Sequence, residues 1–372
     1  MKLRLKNTPE QVELIKALGS KDKNVANAAA TAFAAFVGPV ISKVIAQAGT
    51  ANTIYTDLNY DEDDSPSYPL DLYYNEGEGL VTVWSQNHAG GLPTSQVEGA
   101  GEMKISTYRL DSAVSWLNRY ARKSRLDVIS KALERMAQEV LVKQERNAWS
   151  VILRALSGSS TPGATGHGFH DHHVTTSHNQ NVFSVSDLSR LMTLMRRLGA
   201  SWVGGTPVGA DSYGLTDLYV SPEIKEQIRG FAYNPMNTVN TEGGVIGLPD
   251  SVRENIFRAA GTQELWGVRI TDLLELGKDK KYNKLFKSLG NTSLMNHTGG
   301  AFSDSTDELI IGVDASRDAF IRPIATQSES GGTFMVVPDD QFVSRSDKTG
   351  FYGFLEEGRV CIDARAIVGM VV

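Results

Sequence analysis

Five of the chain's seven histidines, His167, His170, His172, His173 and His178, fall in one short stretch. Imidazole is a good ligand for zinc, copper or nickel, and three in one loop can close on a single ion. The spacing is irregular, however. There is no HExxH pair, and Asp171 is the only nearby carboxylate. His167, His170, His172 and His173 are therefore the metal candidates of a segment that otherwise reads as a polar loop, and neither a native metal nor a cofactor is expected. Asp61-Glu62-Asp63-Asp64 could gather oxygen ligands for calcium, but it lacks the alternation of an EF-hand loop and reads as a solvated acidic turn. Cys361 is the single cysteine, so neither an intramolecular disulfide nor a thiolate zinc site can be built. Its apolar neighbours Val360 and Ile362 make it a strand thiol and point to a reducing compartment. No P-loop, dinucleotide fingerprint or nucleophile elbow occurs, so catalysis is not expected.

The remaining chemistry is that of contact. Lysines and arginines number 37 against 43 aspartates and glutamates, a formal charge of −6. Proteins that read nucleic acid carry a basic face, so sequence-specific DNA binding is excluded as an expectation and only non-specific contact is allowed. The charge is unevenly spread. No Lys or Arg occurs between Lys43 and Lys104, an interval holding ten acids, whereas Arg109 to Arg154 holds ten bases against five acids. Opposite charge on neighbouring segments suits one copy's loop lying over another copy's helix. A solvated helix face gives the same pattern. The contact candidates are Asp61, Asp63, Asp64, Tyr73, Tyr74 and Trp84 on the acidic side, and Arg119, Arg122, Arg125 and Arg135 on the basic side. Tyr55, Tyr60 and Tyr68 belong to the same aromatic set.

These residues need elements to position them. Residues 8–18 read as a short helix with Thr8 as N-cap, Pro9 in the first turn and Gly19 at the end. A second helix is expected from about 24 to 46, broken or kinked at Gly38-Pro39. Its Ala-rich stretch from Val25 to Ala48 is interrupted by Asn27, Gly38-Pro39 and Lys43, so no membrane span is expected. The basic first residues lack a following signal-peptide core. Residues 51–108 read as a long two-stranded excursion, with strands near Leu80–Trp84 and Glu102–Leu110, too thin to be stable without a partner surface.

Ser124 and Asp127 resemble a capping box, and Ile129, Leu133, Met136 and Val140 form one helical face. That helix runs from 124 to about 156, roughly 48 Å at helical rise. A polar loop over 157–183 leads to a helix over 185–198 with Ser184 and Asp187 as its capping pair. The strand Asp217–Val220 runs into a helix opened by Ser221-Pro222-Glu223, and a further helix is expected over Ser251–Ala259. The last third is strand-rich: Glu308–Val313, Ala319–Ile324, Thr333–Val337, Arg359–Ile362 and Ala366–Val372. Helices and strands mix without regular alternation, which makes the class α+β.

An acidic arm, one long helix, a mixed body and a strand-rich tail, in that order, resemble the tailed-bacteriophage major capsid proteins of the Hong Kong 97 (HK97-like) fold. Three local stretches carry the resemblance: the long helix at Arg125–Leu156, the strand-to-helix step Leu218-Tyr219-Val220-Ser221-Pro222-Glu223, and the tail Gly350–Val372. The resemblance implies a helical N-terminal arm over 1–50, an extended loop over 51–108, a peripheral domain over 109–215 with spine helix 124–156, and an axial domain over 216–330. Residues 331–372 would return to the peripheral domain and end in the axial one. It also implies self-assembly into pentamers and hexamers of an icosahedral virion shell around double-stranded DNA, built in the host cytoplasm. Scaffold, portal and possible decoration proteins would be partners. Some relatives link subunits covalently through a lysine in the extended loop. Residues 50–103 contain none, so non-covalent contacts are expected. Two alternatives are an encapsulin-type nanocompartment shell and a metal-dependent enzyme using the loop from His167 to His178. The two-helix arm argues for the phage protein over the encapsulin.

Overall fold

In the computed structural model, residues 8–47, 49–61, 64–69, 102–123, 126–157, 174–199, 214–231, 263–289, 296–297, 300–326, 333–339 and 348–372 are described. The elements in chain order begin with α1 (Pro9–Leu18), α2 (Lys23–Gln47), β1 (Thr56–Asp61), β2 (Ser67–Pro69), β3 (Glu102–Lys104), β4 (Thr107–Leu117), α3 (Asn118–Arg122) and α4 (Leu126–Leu156). They continue with β5 (Val174–Thr176), α5 (Val185–Gly199), β6 (Asp217–Val220), α6 (Pro222–Gly230), β7 (Gln263–Leu265), β8 (Val268–Asp272) and α7 (Lys281–Ser288). The last are β9 (Leu309–Val313), β10 (Phe320–Thr326), β11 (Met335–Asp339), β12 (Lys348–Gly358), β13 (Val360–Cys361) and β14 (Ile367–Val371). The expected helix at Ser251–Ala259 and strand at Leu80–Trp84 lie outside the described residues.

The chain forms two compact units. The first comprises residues 1–66, 104–148 and 321–360. Its centre is β12, which pairs with β4 along its whole length on one side. On the other side it pairs with β11 through its first half and with β10 near its end. β1 is an edge strand, parallel to β10. One face of this sheet is covered by helices. α2 offers Ala29, Phe33, Val37 and Ile41 at four-residue spacing, and α4 offers Ile129, Leu133, Met136 and Val140. Phe351 of β12 lies between Phe33 and Trp116, with ring centroids 5.3 Å from each. Gly353 lets Met136 of α4 and the Phe334 ring close on the same sheet, because a Cβ there would meet the Phe334 ring at 2.6 Å. By length and composition the stretch Lys23–Ile41 could cross a membrane, but its core face is packed in this cluster. Of the expected break or kink at Gly38-Pro39, a break does not occur: the helix continues through both residues.

The second unit comprises residues 67–103, 149–320 and 361–372. Its six-stranded mixed sheet has the order β5-β14-β9-β6-β8-β7. The central strands β9 and β14 read LIIGV and IVGMV and are buried at every position, which is why they are continuous apolar runs. α5 packs on this sheet with Leu188, Leu191 and Met195, and α6 with Ile224 and Ile228. Both helices start where the sequence places them. Ser184 and Asp187 cap each other: the Ser184 N–H donates to Asp187 Oδ2 at 2.9 Å, and the Asp187 N–H to Ser184 Oγ at 3.3 Å. Ser221 Oγ accepts from the Ile224 N–H at 3.1 Å.

Candidate assembly interface

Between Tyr55 and Thr107 the chain leaves the first unit and returns to it, and three polar clusters, of which the third is buried, hold the points of departure and return. The first lies at residues 50–51. Gly49, at φ +130°, turns the chain so that Glu145 of α4 accepts from the N–H groups of Thr50 at 3.0 Å and Ala51 at 3.1 Å. The second ties β1 to its neighbour. Arg322 of β10, 5 % exposed, grips Asp57 with Nε at 2.6 Å and Nη2 at 2.5 Å, and donates to Asn52 Oδ1 at 3.3 Å. Arg322 and Asp57 are register partners, so the bidentate pair fixes the strand alignment.

The third cluster is the deepest. Glu357, near the end of β12, is fully buried. It accepts from Tyr108 Oη at 2.8 Å, from Gln144 Nε2 at 3.0 Å and from Arg359 Nε and Nη2 at 3.3 Å each. The Arg359 guanidinium also lies over the Tyr55 ring, 4.8 Å from its centroid, and Tyr55 Oη donates to the Ala148 carbonyl at 3.0 Å. Burial, followed by the Glu357 charge, pushes the Tyr108 phenol up to about 12. Burial acts to lower Arg359, but Glu357 and the two tyrosines outweigh it and the guanidinium is raised. One cluster thus joins the 50–55 segment, β4, α4 and β12. Tyr55 was an expected contact aromatic; here it is an internal brace. Sequence reasoning missed Glu357 and Arg359, and their acid-x-base spacing at the end of β12 was the available signal.

The legs of the excursion then meet in the two-stranded pairing of β2 with β3. The Ile105 N–H donates to the Pro66 carbonyl at 3.0 Å. Of the acidic contact candidates, Asp61 and Asp64 are exposed, joined by a turn in which the Asp64 N–H donates to the Asp61 carbonyl at 2.9 Å. Asp63, Tyr73, Tyr74 and Trp84 lie outside the described residues. Of the basic candidates, Arg135 is exposed on α4 and Arg119 stacks over the adjacent Tyr120 ring at 5.0 Å. Arg122 donates from Nε to the Gly19 carbonyl at 2.8 Å, and Arg125 lies outside the described residues.

The metal candidates His167, His170, His172 and His173 also lie outside the described residues. Among the described residues no three metal-ligating side chains converge. His178 uses its backbone N–H, which donates to Asp187 Oδ1 at 2.8 Å. Cys361 is buried in β13, and burial pushes its thiol up, as suits an inert strand residue.

No protein-family model matches the chain, and no curated protein sequence matches it. Solved structures do. The capsid asymmetric unit of cyanophage Pam1 is similar with a TM-score of 0.50 and 11 % identity, over 86 % of this chain and 88 % of that one. The chain has the HK97-like capsid fold. The capsid of cyanophage P-SCSP1u gives 0.49 at 13 % identity, over 87 % of this chain and 88 % of that one. The capsid of an empty GTA particle gives 0.46 at 12 % identity, over 87 % and 89 %. Within this HK97-like fold the α+β mixture expected from the sequence is present, with its long α4 and its closing strands β12 to β14.

Proposed function

We propose that the chain is a major capsid protein, a shell subunit that works by assembling with copies of itself into pentamers and hexamers of an icosahedral phage head around double-stranded DNA. The observation that carries this reading is the likeness of fold to the Pam1 capsid over most of both chains. A second line of support is the effort spent on anchoring the excursion. Asp57–Arg322, Glu145 and the Glu357 cluster brace its departure and return, as a loop that must project toward a neighbour requires. In this reading residues 1–50 are the N-terminal arm and 51–108 the extended loop. Residues 109–215 are the peripheral domain with its spine helix, 216–330 the axial domain, and 331–372 the strands shared between them. Asp61, Asp63, Asp64, Tyr73, Tyr74 and Trp84 of one copy face basic residues such as Arg119, Arg122, Arg125 and Arg135 of another. Scaffold, portal and decoration proteins are the partners in the virion, and contact with DNA is non-specific, in keeping with the charge of −6.

Negative-stain electron microscopy of the purified 372-residue chain tests the reading. Closed shells or rings of five and six copies support it, and discrete single-chain particles at every concentration overturn it. Changing His170 and His172 to alanine leaves assembly as it is. Loss of shells in that variant would favour a metal-dependent role for the histidine loop instead.

A further inference from the structure

Within the first unit, the α1–α2 turn, α3 and the adjoining ends of β11 and β12 enclose an open cleft of about 500 Å³, inside the roughly 300–1,000 Å³ range of small-molecule sites. Its charge is one-sided. Lys21, Lys23, Arg122 and Lys348 line it, against the single acid Asp339. The three lysines are exposed, and none of them belongs to an ion pair among the described residues. Asp22, the acid between the first two, caps α2 by accepting from the Asn24 N–H at 3.1 Å and does not line the cleft. Arg122 is fixed at the wall. Its Nε donates to the Gly19 carbonyl at 2.8 Å, and only glycine fits there, because a Cβ would stand 2.9 Å from the Arg122 backbone nitrogen. Asn118 is a further lining residue. Its Oδ1 is taken by the Thr349 hydroxyl, which leaves its amide nitrogen as a donor. The first turn of the 25-residue α2 also borders the cleft, carries no acid and adds the positive end of the helix.

We propose that this cleft is a binding site for an anion built of two or more linked phosphate groups, and that its occupant ties the α1–α2 pair to the sheet. The site is independent of the shell reading above. Charge density selects the ligand. Like charges gathered on a chain of net −6 repel one another unless an anion lies among them. Four cations around one small cleft call for several negative charges in a small volume. Linked phosphates carry them on adjacent groups, each with strong acceptor oxygens for ammonium, guanidinium and amide donors. An acidic peptide spreads its carboxylates over separate side chains, and a single carboxylate leaves most of the cations unanswered. The cations come from different elements: Lys21 and Lys23 from the α1–α2 turn and the start of α2, Arg122 from α3 and Lys348 from β12. An occupant therefore bridges the helical pair to α3 and the sheet, whereas a solvated row of lysines on one helix bridges nothing. A free polyphosphate or nucleoside triphosphate and the backbone of a nucleic acid share this chemistry.

The test is isothermal titration of the purified 372-residue chain with sodium tripolyphosphate, with orthophosphate and with a short DNA duplex. Tripolyphosphate binds saturably at one site per chain, about tenfold or more tighter than orthophosphate, and raises the thermal midpoint. Lys21→Gln together with Lys348→Gln weakens it about tenfold or more. Lys281→Gln together with Lys284→Gln removes the same charge from exposed lysines of α7 in the second unit and leaves the affinity within about twofold. Thermal midpoints without ligand show that both double variants fold, and Lys23→Gln alone weakens binding in the same direction if the cleft pair does not. A duplex that displaces tripolyphosphate makes nucleic acid the source of the phosphates, and one that does not makes it a free polyphosphate; the site stands in both cases. No saturable binding of tripolyphosphate, or an equal loss in the α7 variant, overturns the site and leaves the shell reading standing. Single-chain particles at every concentration overturn the shell reading and leave the site standing.

Discussion

At Glu357 a single carboxylate takes hydrogen bonds from Tyr108, Gln144 and Arg359, all inside the first unit. The Arg359 and Glu357 side chains are 1 % and 0 % exposed. Breaking such a pair leaves a charge buried without its partner, so Glu357→Gln should cost about 3–5 kcal/mol, read by chemical denaturation of the whole chain. Tyr108→Phe removes only a hydrogen bond to a charged group and should cost about 1.5–3 kcal/mol. The phenol also sets an alkaline limit. Its folded value, about 12, lies above the ordinary 10, so the protonated form belongs to the folded state. The contribution of Tyr108 is complete below about pH 10 and is lost as pH rises through about 12. A phenolate absorbance titration should show one tyrosine ionising last, and Tyr108→Phe should remove that step.

α5 shows how far local sequence governs an element. Ser184 and Asp187 are a capping pair on sequence grounds, and the structure adds that Asp187 is 2 % exposed and also accepts from the His178 N–H. Asp187→Ala should therefore cost about 1–2 kcal/mol, measured by thermal unfolding. The Ser221-Pro222 start of α6 was equally legible, because caps are short-range chemistry. Other elements were not. β1 reads TDLNYD and is almost wholly exposed, so it has no alternation to detect; only its pairing with β10 makes it a strand. α7 reads KYNKLFKS, and its few buried residues, Tyr282, Asn283 and Phe286, are too sparse to give a helical stripe. Pro39 does not end the helix. It sits on the exposed side of α2, while Val37 and Ile41 carry the core face past it, so packing outweighs the lost hydrogen bond. Pro39→Ala should raise the thermal midpoint with no change in the helix bounds.

Across the whole molecule, order of elements was the readable quantity. At 11 % identity to the Pam1 capsid the two chains share a fold with few residues in common, as expected when burial pattern and connectivity, not particular side chains, specify the architecture. The contrast between an acidic excursion and a basic neighbouring stretch was also visible in the sequence. The convergence of Lys21, Lys23 and Lys348 was not, because it depends on the β11–β12 pair returning to the α1–α2 turn. If like segments meet across copies through exposed charge, assembly should weaken as ionic strength rises, with light scattering falling between low and high salt. The most direct measurement of the central claim is sedimentation velocity of the purified chain over a concentration series. Self-assembly predicts boundaries at the mass of rings or closed shells that grow with concentration, and a single boundary at 40.5 kDa throughout would contradict it.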